Sequence, residues 1–208
     1  MINKDLVIFG NKSTAMEIFE IACVFYKTEF DHIQMVFWKD DFINEDFFKH
    51  KINNEDHEIN YIIGFADYLL REKCLDSIKK YSNFKPKSII NPSSYIAPSA
   101  IIGKGCYIGA NVSISSNAIL ENFVIINLNA SIGHDALIKK NSIILPGARI
   151  SGHVTIGEGT LVGSNAFIYQ GVKVGRENLI DALTYIHDDL PERMISSSRN
   201  TRIFKRPF

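Results

Sequence analysis

Hydrophobic positions along the chain follow two different periods, and the change falls near residue 92. Up to about residue 90, short apolar runs rich in β-branched and aromatic residues predict four strands: "DLVIFG", "HIQMVFW", "INYIIGF" and "KSII". Between the third and fourth, "DYLLREKCLDSIKKY" (67–81) sets Leu70, Cys74, Ile78 and Tyr81 on one stripe behind a candidate N-cap at Asp67, which is helical spacing. Strands alternating with helices on this scale predict a small parallel sheet with helices on its faces.

From Ile96 the period becomes six and does not slip: every sixth residue as far as Ile186 is Ile, Leu or Val. The position four further on is usually Ala, Val, Ser, Thr or Cys, and the position directly after the aliphatic is often glycine, as at Gly103, Gly109, Gly133, Gly157, Gly163 and Gly175. An α-helix has no period of six, and an ordinary strand repeats every two residues. A hexapeptide repeat predicts a β-solenoid, each unit a short strand and a turn with the aliphatic pointing to the axis and a small residue at the corner. The repeat ends at "HDDLPERM", and the polar, basic "ISSSRNTRIFKRPF" that follows is expected to cap the last coil, whose strand edges would otherwise be unpaired.

Composition narrows the function classes. Lys plus Arg (23) equal Asp plus Glu (23), so there is no basic field of the kind that holds a nucleic acid or an anionic membrane. Cys23, Cys74 and Cys106 are odd in number and far apart, which fits neither a disulfide framework nor a zinc site and points to a reducing cytoplasm. The N-terminus lacks the apolar core of a signal peptide, and no run approaches the roughly 18 apolar residues of a membrane span.

One stretch of the repeat is a candidate for chemistry: "ASIGHDALI" sets His134 beside Asp135 among small and aliphatic residues, a pair that reads either as a reacting group or as a solvated corner. With Ile132 pointing inward, His134 lies at a turn and faces outward, where a flat solenoid face has little use for a histidine unless another subunit covers it. Eighteen residues on comes Gly152, whose backbone N–H, left uncovered, would be an oxyanion donor beside a general base. Adjacent side chains on an extended backbone diverge, so Asp135 is not expected to orient His134 by spacing alone.

With these residues in hand, the hexapeptides resemble the left-handed parallel β-helix of hexapeptide acyltransferases. In that fold three hexapeptides make one triangular coil, and residues 18 apart stack at the strand spacing of roughly 4.8 Å. The chain resembles, more narrowly, the bacterial sugar acetyltransferases typified by sialic acid O-acetyltransferases and nucleotide-amino-sugar N-acetyltransferases. The blocks that carry the likeness are "VIFG", the "DD" after the second strand, "IIG" followed by Arg71, "INPSSYIAPSAIIGKGCYIG", "VIINLNASIGHDALI", "PGARISGHVTIGEGTLVGSNAFIYQGVKVG" and "DDLP". The implied fold is an α/β N-terminal domain with a small Rossmann-like βαβ sheet over residues 1–90, binding a nucleotide sugar, followed by a left-handed β-helix acyltransferase domain with a C-terminal cap over 91–208.

The resemblance implies roles residue by residue. His134 matches the general base, Asp135 the acidic residue after it and Asn127 the asparagine seven before it; Gly152 matches the glycine whose amide holds the thioester carbonyl, with Gln170 and Gly171 implied at the acetyl-coenzyme A site. Gly10, Ser13 and Thr14 match the loop near the acceptor's diphosphate, Asp40 and Asp41 the paired aspartates near its base or ribose, and Gly64 and Arg71 further acceptor-site positions. Arg71 reads equally well as a surface residue of its helix. Ile143 stands where the family often has a second histidine, and "IDALTYI" and "SRNTR" replace its usual last coil and ending. The implied function is acetyl-CoA-dependent N-acetylation of a nucleotide-linked amino-dideoxysugar by a cytoplasmic homotrimer without a metal, serving surface polysaccharide or glycan synthesis. O-acetylation of a sialic-acid-type sugar is the nearest alternative.

Two other classes compete. "FGNKSTAMEIF" follows a strand and opens a helix, a context for phosphate binding, but Gly10 alone is no dinucleotide fingerprint, which argues against NAD. A zinc enzyme needs three protein ligands and an open position; His134 and His153 fall on neighbouring coils, His153 one residue out of register with the stack above His134, and the next histidine, His187, lies about three coils away. A scaffold that kept the solenoid and lost turnover is the third reading.

Overall fold

The computed structural model describes residues 3–10, 13–36, 38–39, 42–43, 57–198 and 200–205. The chain divides into two compact units, Met1–Ile89 and Ile90–Phe208.

The first unit contains strands β1 (Asn3–Phe9), β2 (His32–Val36), β3 (Trp38–Lys39), β4 (Phe42–Ile43), β5 (His57–Ile63) and β6 (Phe84–Pro86). Four of them form a parallel sheet in the order β2-β1-β5-β6, and β3 and β4 pair as a short antiparallel ribbon. Leu6, Val7, Ile8 and Phe9 are all fully buried, as expected of a central parallel strand covered on both faces. Helix α1 (Thr14–Phe25) buries Ala15, Ile18 and Ala22. Helix α2 (Tyr68–Ile78) starts at Asp67, whose Oδ1 accepts the Leu70 N–H at 2.8 Å, and it buries Arg71, Cys74 and Ile78. The fourth sheet strand is not "KSII" but "FKP", with Phe84 paired to Ile59; Pro86 is tolerated there because β6 is an edge strand.

A carboxylate lies in this core. Asp5, on β1, is fully buried, with His32 Nδ1 3.1 Å from its Oδ1 and His57 Nε2 3.0 Å from its Oδ2. The carboxylate thus joins three adjacent strands.

In the second unit each hexapeptide supplies a two-residue strand. The series starts at Ile89–Ile90, one hexapeptide before Ile96, and runs to Tyr185–Ile186. Pairing is parallel and joins residues 18 apart, as in Ser113 to Ser131 to Arg149 and Ile114 to Ile132 to Ile150. The aliphatic positions and the small positions fill the interior, with Ile114, Ile138, Ile156, Ala118 and Ala148 all fully buried. The "KSII" segment therefore contributes to the solenoid. At the other end Met194–Ser197 pairs parallel with Leu179–Ile180 and antiparallel with Asn200–Lys205, so the chain's last described segment covers a strand edge.

A second column of period six is set by the backbone. From Gly105 to Leu183 the third residue after each inward aliphatic takes a positive φ, including Asn111, Asn117, Asn129, Asp135, Asn141, Gly147, His153, Gly159, Asn165 and Gly171. This left-handed residue turns the chain from one face to the next, and Gly and Asn adopt it at least cost.

Candidate active site

The corner after Ser131–Ile132 holds the candidate base. Ile132 is buried, and two residues later the His134 side chain is 51% exposed. Asp135 comes next, and here extended-strand reasoning fails. Its φ is 58°, a left-handed residue and not a strand residue, so its side chain swings back toward its neighbour. Asp135 Oδ2 lies 2.7 Å from His134 Nδ1. The other oxygen, Oδ1, accepts from Asn117 Nδ2 at 3.1 Å. Asn117 occupies the same left-handed column one coil earlier, and its own N–H is held by Ser99 Oγ at 3.1 Å. The period-six column is the signal that would have found Asn117. The hydrogen bonds from His134 and then Asn117 hold the Asp135 carboxyl below the usual carboxylate range.

Gly152 stacks one coil beyond His134. A Cβ built there would lie 2.5 Å from His134 Nε2, so the imidazole packs against the bare Cα. Its N–H makes no hydrogen bond to any described residue. Gly171 takes φ +79° and has nothing within 4 Å of a built Cβ; its N–H is bonded to Gly152 O at 3.0 Å, and Gln170 beside it is exposed. The two glycines are therefore glycine for different reasons: close approach at 152, backbone conformation at 171.

His153 is nearer than its register suggested. It follows Asp135 in the left-handed column, its N–H donates to His134 O at 2.9 Å, and the two imidazoles meet edge to face with centroids 4.9 Å apart. Its Nε2 lies 3.9 Å from Asp135 Oδ2. Asn127 is different. It is 4% exposed and sits at the corner after Ile125–Ile126, one face of the coil away from His134, so a single chain does not bring the two together. An open hollow lined by Asn129, Pro146, Gly147, Arg149 and Asn165 lies at that same corner.

In the first unit, Gly10 takes φ +140°, and built Cβ atoms at Gly10 and Gly64 would lie 2.7 Å from Ala15 Cβ and 2.6 Å from Ala15 Cα. The ends of β1 and β5 thus close on the start of α1, which explains both glycines by packing. Ser13 is the exposed N-cap of α1 with φ 36° and no capping bond from its side chain; Thr14 is the first helical residue. Arg71 is neither at the surface nor open to a ligand. It is fully buried, and its Nη1 donates to Ile63 O at 3.2 Å and Phe65 O at 2.9 Å, clamping the chain on either side of Gly64. Asp40 and Asp41 lie outside the described residues.

A family model described as the GMPPB C-terminal domain matches residues 82–176, slightly under half of the chain. No protein of curated function matches it in sequence. Among solved structures, the chain is similar to the acetyltransferase domain of PglB from Neisseria gonorrhoeae FA1090, at 24% identity and TM-score 0.81 over 96% of this chain and 99% of that one. That domain is also known in complex with acetyl coenzyme A. PerB from Caulobacter crescentus, in complex with CoA and GDP-perosamine, is similar at 21% identity and TM-score 0.83 over 96% of each chain. WeeI from Acinetobacter baumannii AYE follows at 17% identity and TM-score 0.81, over 97% of this chain and 100% of that one. Together with the 18-residue parallel register, these likenesses establish the fold: a small α/β unit followed by a left-handed parallel β-helix, as in those structures.

Proposed function

We propose that the protein is an acetyl-CoA-dependent N-acetyltransferase acting on the amino group of a nucleotide-linked amino-dideoxysugar, in the synthesis of surface polysaccharide or glycan. The observation that carries this reading is the chain Asn117–Asp135–His134 laid against Gly152 at one solenoid corner. A carboxylate that accepts the Nδ1 proton leaves the Nε2 lone pair free, which is the tautomer a general base needs. The full-length likeness to PerB, known with CoA and GDP-perosamine bound, supports the substrate class.

The corner suits a long thioester. Gly152 offers an unpaired N–H, and Gly171, one coil on, leaves open space where a side chain would stand. Gly152, Gln170 and Gly171 would hold acetyl-CoA, which supplies the activated acetyl group. As the acceptor nitrogen forms its bond to the acetyl carbon, its extra proton passes to His134 Nε2. Asp135 stabilises the imidazolium that results, and Nε2 then gives the proton to the departing sulfur, so the base is regenerated with one proton moved from nitrogen to sulfur. The Gly152 N–H stabilises negative charge on the carbonyl oxygen as it develops.

In this reading the first unit takes the nucleotide part of the acceptor, with the α1 N-terminus and Ser13 and Thr14 at its phosphates and Asp40 and Asp41 at its base or ribose. Arg71 shapes that site through Gly64 without touching the ligand. The protein works as a cytoplasmic homotrimer whose neighbouring copy covers the His134 corner.

Incubation with acetyl-CoA and a panel of nucleotide-linked 4-amino-4,6-dideoxyhexoses tests the proposal. The expected result is thiol release matched by a product heavier by one acetyl group. Acetylation of a sugar hydroxyl with no amine turnover would move the assignment to O-transfer.

A further inference from the structure

The His134 corner carries more than a base and its partner. His134, Asp135 and His153 each offer a ligand atom, and these atoms all lie within 4.8 Å of one another; they are the one such group of three among the described residues. The arrangement follows from the repeat. Asp135 and His153 are left-handed residues 18 apart, one coil from each other at the same corner, and His134 is the chain neighbour of Asp135. His153 stands in a column that otherwise favours Asn and Gly, and among the described residues its ring makes no hydrogen bond: the His134 ring meets it edge to face, and Asp135 Oδ2 lies 3.9 Å from its Nε2. In a tetrahedral zinc site with ligand bonds of roughly 2.0–2.2 Å, donor atoms sit about 3.3 Å apart. The observed 2.7 Å and 3.9 Å lie on either side of that value, and the two imidazole donors lie within 4.8 Å of each other.

We propose that His134, Asp135 and His153 form a site for a divalent transition metal of the zinc type, and that the metal switches acyl transfer off. Two imidazole nitrogens and one carboxylate oxygen are the donors that suit zinc, cobalt and nickel over magnesium or calcium. All three side chains are exposed in the single chain. The inhibition follows from counting lone pairs. A neutral imidazole has one acceptor nitrogen; if the metal takes Nδ1, the proton moves to Nε2, and if it takes Nε2, the base is occupied directly. Either way His134 accepts no proton from an amine. The inhibitory part of this inference rests on the proposed acetyltransferase function; the metal site does not.

Two measurements on full-length, untagged, chelator-treated protein separate these parts. Calorimetric titration with Zn²⁺ is expected to give one ion per chain, and Co²⁺ to give the intense visible bands of low-coordinate cobalt. His153→Asn is expected to weaken Zn²⁺ binding by more than the roughly 10- to 100-fold that loss of an outer-shell partner costs, and to abolish the cobalt bands. Acetyl transfer, read as acetylated product because free thiol binds zinc, should fall with added Zn²⁺ in the wild type and resist it in His153→Asn. Absence of binding at about 0.1 mM Zn²⁺, or binding that survives His153→Asn, overturns the site. Zinc that raises product formation overturns the inhibition and points to a metal enzyme. Zinc bound at this site in a protein that acetylates no acceptor would sustain the site and refute the acetyltransferase reading.

Discussion

In the proposed reaction His134 works only as a neutral imidazole with its Nδ1 proton held, and Asp135 does the holding. Removing a general base typically costs 10²- to 10⁴-fold in rate, roughly 3–5 kcal/mol in activation free energy. His134→Asn is therefore expected to lower kcat by about that factor while acetyl-CoA affinity, measured by calorimetry, stays near wild type, because the side chain faces solvent and not the solenoid core. Asp135 titrates below the ordinary carboxylate range, so the stabilisation its ionised form contributes is complete above that range and lost only as pH falls through the lowered value. Asp135 therefore stays charged through the neutral range, and no acid limb of the rate profile near neutral pH should come from this carboxylate. The histidine was legible in the sequence because a polar ring stood out against a period-six background. The contact with Asp135 was not, since strand geometry hid the left-handed residue that turns each corner; nor was Asn117, which no catalytic motif marks but which occupies that column one coil earlier.

At the scale of elements, glycines distinguish site from scaffold. At Gly152 a methyl would meet the far end of the His134 ring, 2.5 Å from Nε2, whereas at Gly133 it would meet backbone, 2.5 Å from Gly152 N and from Ser151 C. A ring can rotate away and a coil cannot. Gly152→Ala should keep the wild-type melting temperature and lose about 10²-fold in kcat, the cost of displacing a reacting group by an ångström or so. Gly133→Ala should lower the melting temperature itself. Arg71 is a similar case in the first unit. Arg71→Ala strips two backbone carbonyls of a buried donor and leaves a cavity, and a loss of roughly 2–4 kcal/mol in stability is expected, measured by denaturant unfolding. The buried core next to it has its own pH signature: desolvation, and then the charge of Cys74, pushes the Tyr61 phenol up from 10.0 to about 12, and burial pushes the Cys74 thiol up as well. Such groups favour the folded state in their neutral form, so the stabilisation is present below pH 10 and lost as pH rises toward 12, where near-ultraviolet absorbance should report phenolate formation and unfolding together. Helical spacing put Cys74 and Ile78 on the right face of α2, but placing Arg71 inside required knowing that the carbonyls of Ile63, at the end of β5, and Phe65, just beyond it, need a donor.

At the scale of the whole molecule, the question is what covers the His134 corner. The corner joins two solenoid faces, one bearing Tyr95, Phe167 and Tyr185 and the other bearing Ile101 and Ile119, and all five side chains are exposed in the single chain. Phe167 and Tyr185 already stack on each other at 5.5 Å, with Tyr169 beside Tyr185. Exposed apolar surface flanking a site marks an interface more often than bare solvent contact. The hexapeptide phase told where the aliphatic core lies, yet it was silent on these outward positions, which the repeat leaves free to vary and which only a partner constrains. A copy of the same chain is the economical occupant, since a three-faced solenoid can close around a threefold axis with one corner of each copy against a face of the next, repeating the site three times. Sedimentation velocity on the full chain should therefore give a single species of three times the 23.5 kDa chain mass. Tyr185→Asp, which sets a charge into the flanking apolar surface without touching His134, Asp135 or Gly152, should dissociate that species and remove acetyl transfer at the same protein concentration. Activity that returns as concentration is raised would tie turnover to assembly, and a stable monomer of wild-type activity would show that one chain completes the site by itself.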